Sequence, residues 1–555
     1  MKPLAEYPRP QFKRDSYLSL NGEWDYKISK NYAIPDSFDG KILVPYSPEC
    51  EINNINHILQ PDEYLFYRLI FDLPKNFVKD LVYLHFLAVD QMCDVYLNGK
   101  ELGSHIGGFL PFKFEIKEHL KEKDNELILR VKDVTDTSYH ARGKQKLKHG
   151  GIWYTPQSGI FLPVFMESVP YEHVEEIKIT PNIDRKNVVF NVKSKKDRCT
   201  IIVDGEKHDI DCNKDVKIYF TEVHLWSTED PFLYPLEIIV GEDKVESYFA
   251  MRKFSIMEDE NHIKRLALNN KPIFMKGILD QGYYKKGLLT PESYDDYIKD
   301  IELVKSLGFN TIRKHIKIEV PRWYYECDKR GVIVWQDFVN GGTKYYLPII
   351  QYPLIFHYNL KDKHHRLFSC KDPKGREEIF NEFKETIHYL YNSPCIALWT
   401  IFNEGWGQFD AKRVYNELTK LDQSRIFNHA SGWHDQGIGD IKSRHIYFQK
   451  AKFKKKEKRC KIISEFGGLV LPIEGHLVEG DSVYTKFKTK EEYLEAYKKI
   501  IVRDIVNNIP NGLSASIYTQ LSDVEEETNG FITFDREVLK CDPKDVKEIN
   551  DLIHL

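Results

Sequence analysis

At about residue 258 the 555-residue chain changes rhythm, from closely spaced strand-like runs to a repeating order of strand, loop and helix. Eight runs of strand length follow: Ile273 to Leu279, Asn310 to Lys314, Val332 to Phe338, Ile396 to Phe402, Ile426 to Ala430, His445 to Phe448, Lys461 to Ser464 and Ser514 to Thr519. Helical stretches lie between several of them, at Pro291 to Ser306, Lys374 to Tyr391, Asp410 to Leu421 and Lys490 to Asn507. The spacing of Glu382, Glu385, Ile387 and Leu390 gives one of these a mixed polar and apolar face. The 298 residues from 258 to 555 suit an eight-fold β/α barrel. A doubly wound sheet is the rival topology, but it calls for a glycine-rich phosphate turn after its first strand. Phe274 to Asp280 supplies none.

Upstream the elements are β throughout. Val95-Tyr96-Leu97-Asn98-Gly99-Lys100 sets Asn-Gly between two strand-like runs, the strongest short hairpin signal. Phe66 to Leu73, Leu81 to Val89 and Glu126 to Val131 have strand length, with Pro and Gly between them. Residues 1–168 therefore read as a β-sandwich of jelly-roll type. Short strands at Ile177 to Thr180, Val188 to Val192, Thr200 to Val203, Val216 to Phe220 and Leu236 to Val240 make residues 169–257 an immunoglobulin-like sandwich, without the Cys…Trp…Cys signature of antibody domains.

Composition narrows the classes of partner. The 80 basic residues against 84 acidic ones give a net charge of −4, which argues against a dedicated nucleic-acid or anionic-membrane surface. The longest apolar run, Leu81 to Val89, is half a membrane span and contains His85. Met1 to Glu6 lacks the apolar core of a secretion signal, and nine scattered cysteines without CxxC spacing read as reduced thiols. A cytoplasmic protein is the expectation.

In a barrel, side chains at the C-terminal strand ends line the active site. Those ends read Asp280 and Gln281, Arg313 and His315, Gln336 and Asp337, Asn403 and Glu404, Trp433 and His434, Glu465, and Gln520 with Asp523. Glu404 and Glu465 form the sharpest pair, each after an apolar run and each flanked by glycine. Two carboxylates facing each other across a pocket are the equipment for cleaving a glycosidic bond. The bland alternative is that each caps a helix or pairs with an arginine.

Trp399-Thr400-Ile401-Phe402-Asn403-Glu404 and Ile462-Ile463-Ser464-Glu465-Phe466-Gly467 resemble the acid/base and nucleophile motifs of glycoside hydrolase family 2, which includes β-galactosidases, β-glucuronidases and β-mannosidases. Ser19 to Trp24, Asp94 to Gly108 with Phe109-Leu110-Pro111-Phe112, Gly159-Ile160 with Val164-Phe165, and Asn310 to His315 resemble other stretches of that family. The resemblance implies the order jelly roll, immunoglobulin-like domain, barrel. It makes Glu404 the general acid/base and Glu465 the nucleophile of a retaining mechanism, with Asn403 on the sugar 2-hydroxyl. Arg313 would orient Glu465 and keep it ionised, while His315 and Asp337 become candidate sugar-hydroxyl ligands or, equally, parts of a buried polar network inside the barrel. Trp433, His434 and Gln520 are further candidate substrate ligands by their place at the strand ends. No cofactor or metal is expected, and a homo-oligomer is possible within the family's habits.

The sugar is read less directly. Glucuronidases of this family hold the substrate carboxylate with a late Asn-x-Lys element, where this chain has Glu525-Glu526-Glu527-Thr528-Asn529-Gly530-Phe531. An acidic run would repel a uronate. Asn269-Asn270-Lys271 and Asn359-Leu360-Lys361 lie elsewhere. Trp335-Gln336-Asp337-Phe338 is similar to the β-mannosidase branch, although the chain is much shorter than that branch's members. Asp337 to Gly342 does not reproduce the metal-ligand loop of the metal-dependent galactosidases. A retaining exo-β-glycosidase for a terminal β-linked hexose, β-galactosidase-like, is the expectation. A β-uronidase (glucuronidase or galacturonidase) or a β-mannosidase is the alternative. From another class, a non-catalytic carbohydrate-binding protein is disfavoured by the presence of both carboxylates. The basic run Lys450 to Lys461 reads as a solvated loop, and Gly150 to Tyr154 either walls the barrel mouth or simply packs Trp153.

Overall fold

The computed structural model describes residues 2–453, 457–478 and 484–555. Lys454, Lys455 and Lys456 of the basic run lie outside the described residues.

The N-terminal part is two antiparallel sheets face to face. Gly40–Val44, Gly22–Ser29, Tyr64–Phe71, Asn125–Lys132, Met92–Leu97 and Lys100–Ile106 form one; Tyr17–Ser19, Val164–Val169, Leu81–Phe86 and Phe112–Glu115 form the other. Alternate residues of each strand point inward, so Leu127, Leu129 and Val131 meet Val82, Leu84 and Phe86 in one apolar core. Asn98 and Gly99 both take positive φ at the predicted hairpin, as a two-residue turn of this kind requires.

A three-stranded sheet (Glu176–Asn182, Asn187–Lys193, Val216–Tyr219) and a four-stranded one (Glu206–Asp211, Arg198–Val203, Tyr234–Val240, Asp243–Phe249) make the second sandwich around its own core. All nine cysteines are buried as free thiols.

The C-terminal region is a parallel barrel of eight strands: β1 (Met275–Asp280), β2 (Thr311–Lys314), β3 (Ile333–Asp337), β4 (Ile396–Thr400), β5 (Ile426–Asn428), β6 (Ile441–Ile446), β7 (Cys460–Gly467) and β8 (Leu513–Thr519). Their spatial order, 5-4-3-2-1-8-7-6, is that of a barrel, with no ladder joining β5 to β6. Seven of the strands fall where the sequence puts them. β6 begins four residues earlier than expected, because Ile441-Lys442-Ser443-Arg444 is too polar to read as a buried strand. The helices outside the expected stretches include Pro321–Arg330 and Pro543–Asn550; each opens with proline at its first turn, where a missing N–H costs nothing.

Twelve buried residues of the barrel core cluster come from residues 1–168, among them Tyr46, Phe109, Tyr154 and Phe161. Among the described residues no helix is long and apolar enough to cross a membrane.

Candidate active site

Glu404 lies in the turn after β4, where a brief parallel bridge of Asn403 to Ser431 extends the strand. The Glu404 amide donates to the Ser431 carbonyl at 2.9 Å, and the indole N–H of Trp433 donates to the Glu404 carbonyl at 2.9 Å. Glu404 takes a left-handed φ of 50° and Gly405 one of 75°. Gly405 has no room for a side chain, since a Cβ there would sit 2.6 Å from the His434 ring. This explains the Glu-Gly pair: the turn is tight and the glycine lets it lie against His434.

Glu465 lies in β7 at a register irregularity between Ile463 and Phe466. A bulge re-aims the side chains it carries, and here it accompanies the carboxylate at the strand end. At Gly467 a Cβ would come 2.4 Å from the Tyr518 ring, so the strand can pass that ring only as glycine.

The two carboxylates converge. One carboxyl oxygen of each and one ring nitrogen of His445 lie within 4.8 Å of one another. The Glu404 side chain keeps 12% of its exposure and Glu465 keeps 6%, so both reach the pocket from a largely dry wall. Such a separation suits two carboxyl groups of a retaining glycosidase and is shorter than the roughly 6.5–9.5 Å of an inverting pair.

Arg313, wholly buried at the end of β2, ties the site together. Its Nη1 donates to Glu465 Oε1 at 2.9 Å and to the Ser464 carbonyl at 2.9 Å. Nη2 donates to Asn403 Oδ1 at 2.9 Å, and Nε lies 3.0 and 3.1 Å from the two Asp337 oxygens. His315 Nδ1 is 2.8 Å from Asp337 Oδ2. Tyr447 donates its hydroxyl to Glu465 Oε2. Glu465 is thus held on one oxygen by a guanidinium and on the other by a phenol.

Burial pushes the Glu404 carboxyl above the ordinary range; the His445 hydrogen bond pulls it back, and the Glu465 charge adds to the rise. Burial also raises Asp337, but Arg313 and His315 outweigh it and hold that carboxyl below its usual value. His315 is brought down to about 4, chiefly by burial.

Of the residues singled out in the sequence, Glu404, Glu465, Asn403, Arg313, His315 and Asp337 form this one network, and Trp433 braces its backbone. Asn403 Nδ2 is buried with no partner among the described residues, a donor left unused by the protein. Both Asp337 oxygens are engaged within the protein, by Arg313 and His315. His434 Nε2 bonds the Ile349 carbonyl at 2.9 Å and Nδ1 accepts from the Leu360 amide at 3.1 Å, so the ring anchors the 349–360 segment. Gln520 is fully buried and spends its amide on Asn529 and Gln281, each at 2.8 Å.

His445 was not among the expected residues. Nδ1 lies 2.7 Å from Glu404 Oε1, and Nε2 lies 2.8 Å from Ser431 Oγ, which bonds Ser464 Oγ at 2.7 Å. Its signal was its place at the end of a barrel strand, hidden because the strand was read four residues too late.

The loop from residue 140 to 155 of the N-terminal part closes one side of the mouth. The Gly151 amide donates to Glu526 at 2.7 Å and the Thr155 amide to Glu525 at 3.0 Å. Trp153 packs on Trp406 with ring centroids 4.9 Å apart. Tyr154 donates to Glu527 Oε2 at 2.5 Å, and Lys144 Nζ lies 3.4 Å from that same oxygen.

The description "Glycosyl hydrolases family 2, TIM barrel domain" matches residues 260–554, more than half the chain. The chain belongs to glycosyl hydrolase family 2. The family 2 galactose-binding domain-like description matches residues 45–159 as well. The Lactobacillus acidophilus "Beta-galactosidase large subunit" is 24% identical over 511 residues, covering 77% of this chain and 75% of that protein. Other family 2 relatives are longer: the chain spans 38% of one from Formosa agariphila, 27% identical over 349 residues, and 45% of the Vibrio vulnificus beta-galactosidase. The β-D-glucuronidase structure of Dictyoglomus thermophilum has a TM-score of 0.77 at 18% identity, over 98% of both chains. A family 2 β-galacturonidase of Eisenbergiella tayi bound to galacturonate has a TM-score of 0.72 at 16% identity, over 99% of both. At these identities the likeness is one of fold.

Proposed function

We propose that the protein is a retaining exo-β-glycosidase acting on a terminal β-linked neutral hexose, β-galactoside-like. The convergence of Glu404 and Glu465 oxygens within 4.8 Å carries this reading. In the first step Glu404 gives its proton to the glycosidic oxygen as a Glu465 oxygen bonds the anomeric carbon and the aglycone leaves. In the second, Glu404 takes a proton from water, the water oxygen bonds the anomeric carbon and Glu465 is released. The raised pKa of Glu404 suits an acid that must hold its proton near neutral pH. Arg313 and Tyr447 keep Glu465 aimed, and the free Asn403 Nδ2 suits a sugar hydroxyl beside the reacting carbon. The loop wall of Trp153 against Trp406 favours a blind pocket that takes a chain end.

The neutral sugar is supported by charge. Lys144 is a buried cation of this loop, and Glu527 already pairs with it. A β-uronide is the second reading, and it rests on that same lysine, which would have to turn from Glu527 to the substrate.

A panel of β-configured nitrophenyl sugars, uronides included, tests both readings. The expected result is turnover of a neutral hexoside with the β anomer as the first product by NMR, lost in Glu465→Ala while the fold is kept. Normal turnover by that variant, or inversion at the anomeric carbon, rejects the mechanism; preferred turnover of a uronide selects the second reading.

A further inference from the structure

The end of the barrel where the strands begin, opposite Glu404, carries its own concavity. A cleft of about 850 Å³ lies there between the strand Glu176–Asn182 of the second sandwich, the segment from Arg252 to Lys264 and the helix Ala411–Leu421. Arg425 and Asp440, which directly precede β5 and β6, line its floor.

Its carboxylates are matched. Asp184 meets Lys253 at 2.5 Å, Asp422 meets Arg425 at 2.9 Å, Asp440 meets Lys264 at 3.5 Å, and Glu258 stands 3.5 Å from His262. Two of the lining cations, Arg252 and Lys178, have no carboxylate partner among the described residues. Arg252 is only 4% exposed. Its Nε donates to the Pro394 carbonyl at 2.9 Å, and its two terminal nitrogens meet no acceptor among the described residues. Burial first, and then the charge of Arg425, bring this guanidinium down to about 9. A guanidinium with so little contact with water gains strongly from an anion that meets its free nitrogens. Tyr391 lies between Lys178 Nζ, 4.3 Å from its ring centre, and Arg425, 5.4 Å away. Tyr415 offers a second ring in the same cleft.

We infer that this cleft binds a small organic anion, its carboxylate or phosphate held by Arg252 and Lys178 and its body laid against Tyr391 and Tyr415. The volume is that of a small-molecule site, and planar guanidinium donors suit both oxyanions. A sugar phosphate and an acidic saccharide share this chemistry.

Calorimetric titration and thermal unfolding of the full chain, at fixed ionic strength with chloride as reference, use inorganic phosphate, glucose 6-phosphate and glucuronate. At least one of these binds and raises the melting temperature above the chloride value; binding of the phosphates alone names a phosphorylated ligand, and binding of glucuronate alone an acidic saccharide. Arg252→Met weakens the binding at least ten-fold, and Lys178→Glu, at an exposed position where folding is safe, weakens it at least three-fold. Without anion, Arg252→Met melts at or above the wild-type temperature, because an uncompensated charge has gone. Both variants keep the hydrolysis rate of the parent. No stabilisation beyond chloride, or unchanged affinity in both variants, overturns the inference, and so does a markedly lower melting point of anion-free Arg252→Met, the mark of a purely structural arginine.

Discussion

His445 Nδ1 lies 2.7 Å from Glu404 Oε1 and 3.5 Å from Glu465 Oε2, so a single imidazole touches both acidic groups of the pocket. Its hydrogen bond favours the charged form of Glu404 and lowers that pKa. Removing it should therefore raise the pKa of the acid. In His445→Ala the basic limb of kcat/KM moves to higher pH, by about one to two units, the size of one lost hydrogen bond to a charged group. His445→Asn, which can still donate, restores part of the shift. An unmoved basic limb would show that His445 only fills space.

Glu404→Ala separates the acid from the nucleophile. Substrates with poor leaving groups need the proton and lose about 10² to 10⁴ in rate, while dinitrophenyl glycosides keep most of theirs. Steady-state rates plotted against leaving-group pKa read this directly; equal losses across the series would remove the acid from Glu404.

Arg313 serves two carboxylates and Asn403 from a fully buried position. Arg313→Met leaves Asp337 and Glu465 without their cation, which costs about 3–5 kcal/mol of stability. Urea unfolding measures it. Arg313→Lys keeps the charge but cannot reach three partners at once, so it should regain stability more fully than it regains turnover.

Two buried histidines set an acid limit to the fold. His85 and His315 are each brought down to about 4, first by burial. Both are neutral in the folded chain at pH values where the unfolded chain, near 6.5, already takes up protons. Their contribution is complete above pH 6.5 and is lost as the pH falls toward 4, with roughly 1–2 kcal/mol for each gone by pH 5. Denaturant midpoints at pH 7 and pH 5 test the sign, and His315→Gln should flatten the difference.

Glu527 is the charge that closes Lys144 off from a substrate carboxylate. Glu527→Gln frees that lysine, so the ratio of uronide to galactoside kcat/KM should rise several-fold, through a lower KM for the uronide. An unchanged ratio would mean that Lys144 does not face the sugar.

The barrel, its strand order and the acidic pair were legible because apolar β runs ending in a polar residue are local features of the sequence. Arg313 was legible for the same reason. What escaped was pairing: whether a strand-end side chain turns to the pocket or to a neighbour depends on partners far away in the chain. Gln520 is taken by Asn529 and Gln281, and His434 by the backbone of the 349–360 segment. His445 was missed for a different reason. β6 borders the side of the barrel that has no ladder, and its polar residues give it no buried-strand pattern.

Three consecutive glutamates in the last barrel loop reach backward to a segment nearly four hundred residues earlier, fastening it by its amides and by Tyr154. A barrel expressed by itself would fold, if at all, with an open flank and with these three carboxyl groups stripped of their partners in the 144–155 segment. Any truncation or domain exchange therefore has to keep the 144–155 segment and the 525–527 loop from the same parent.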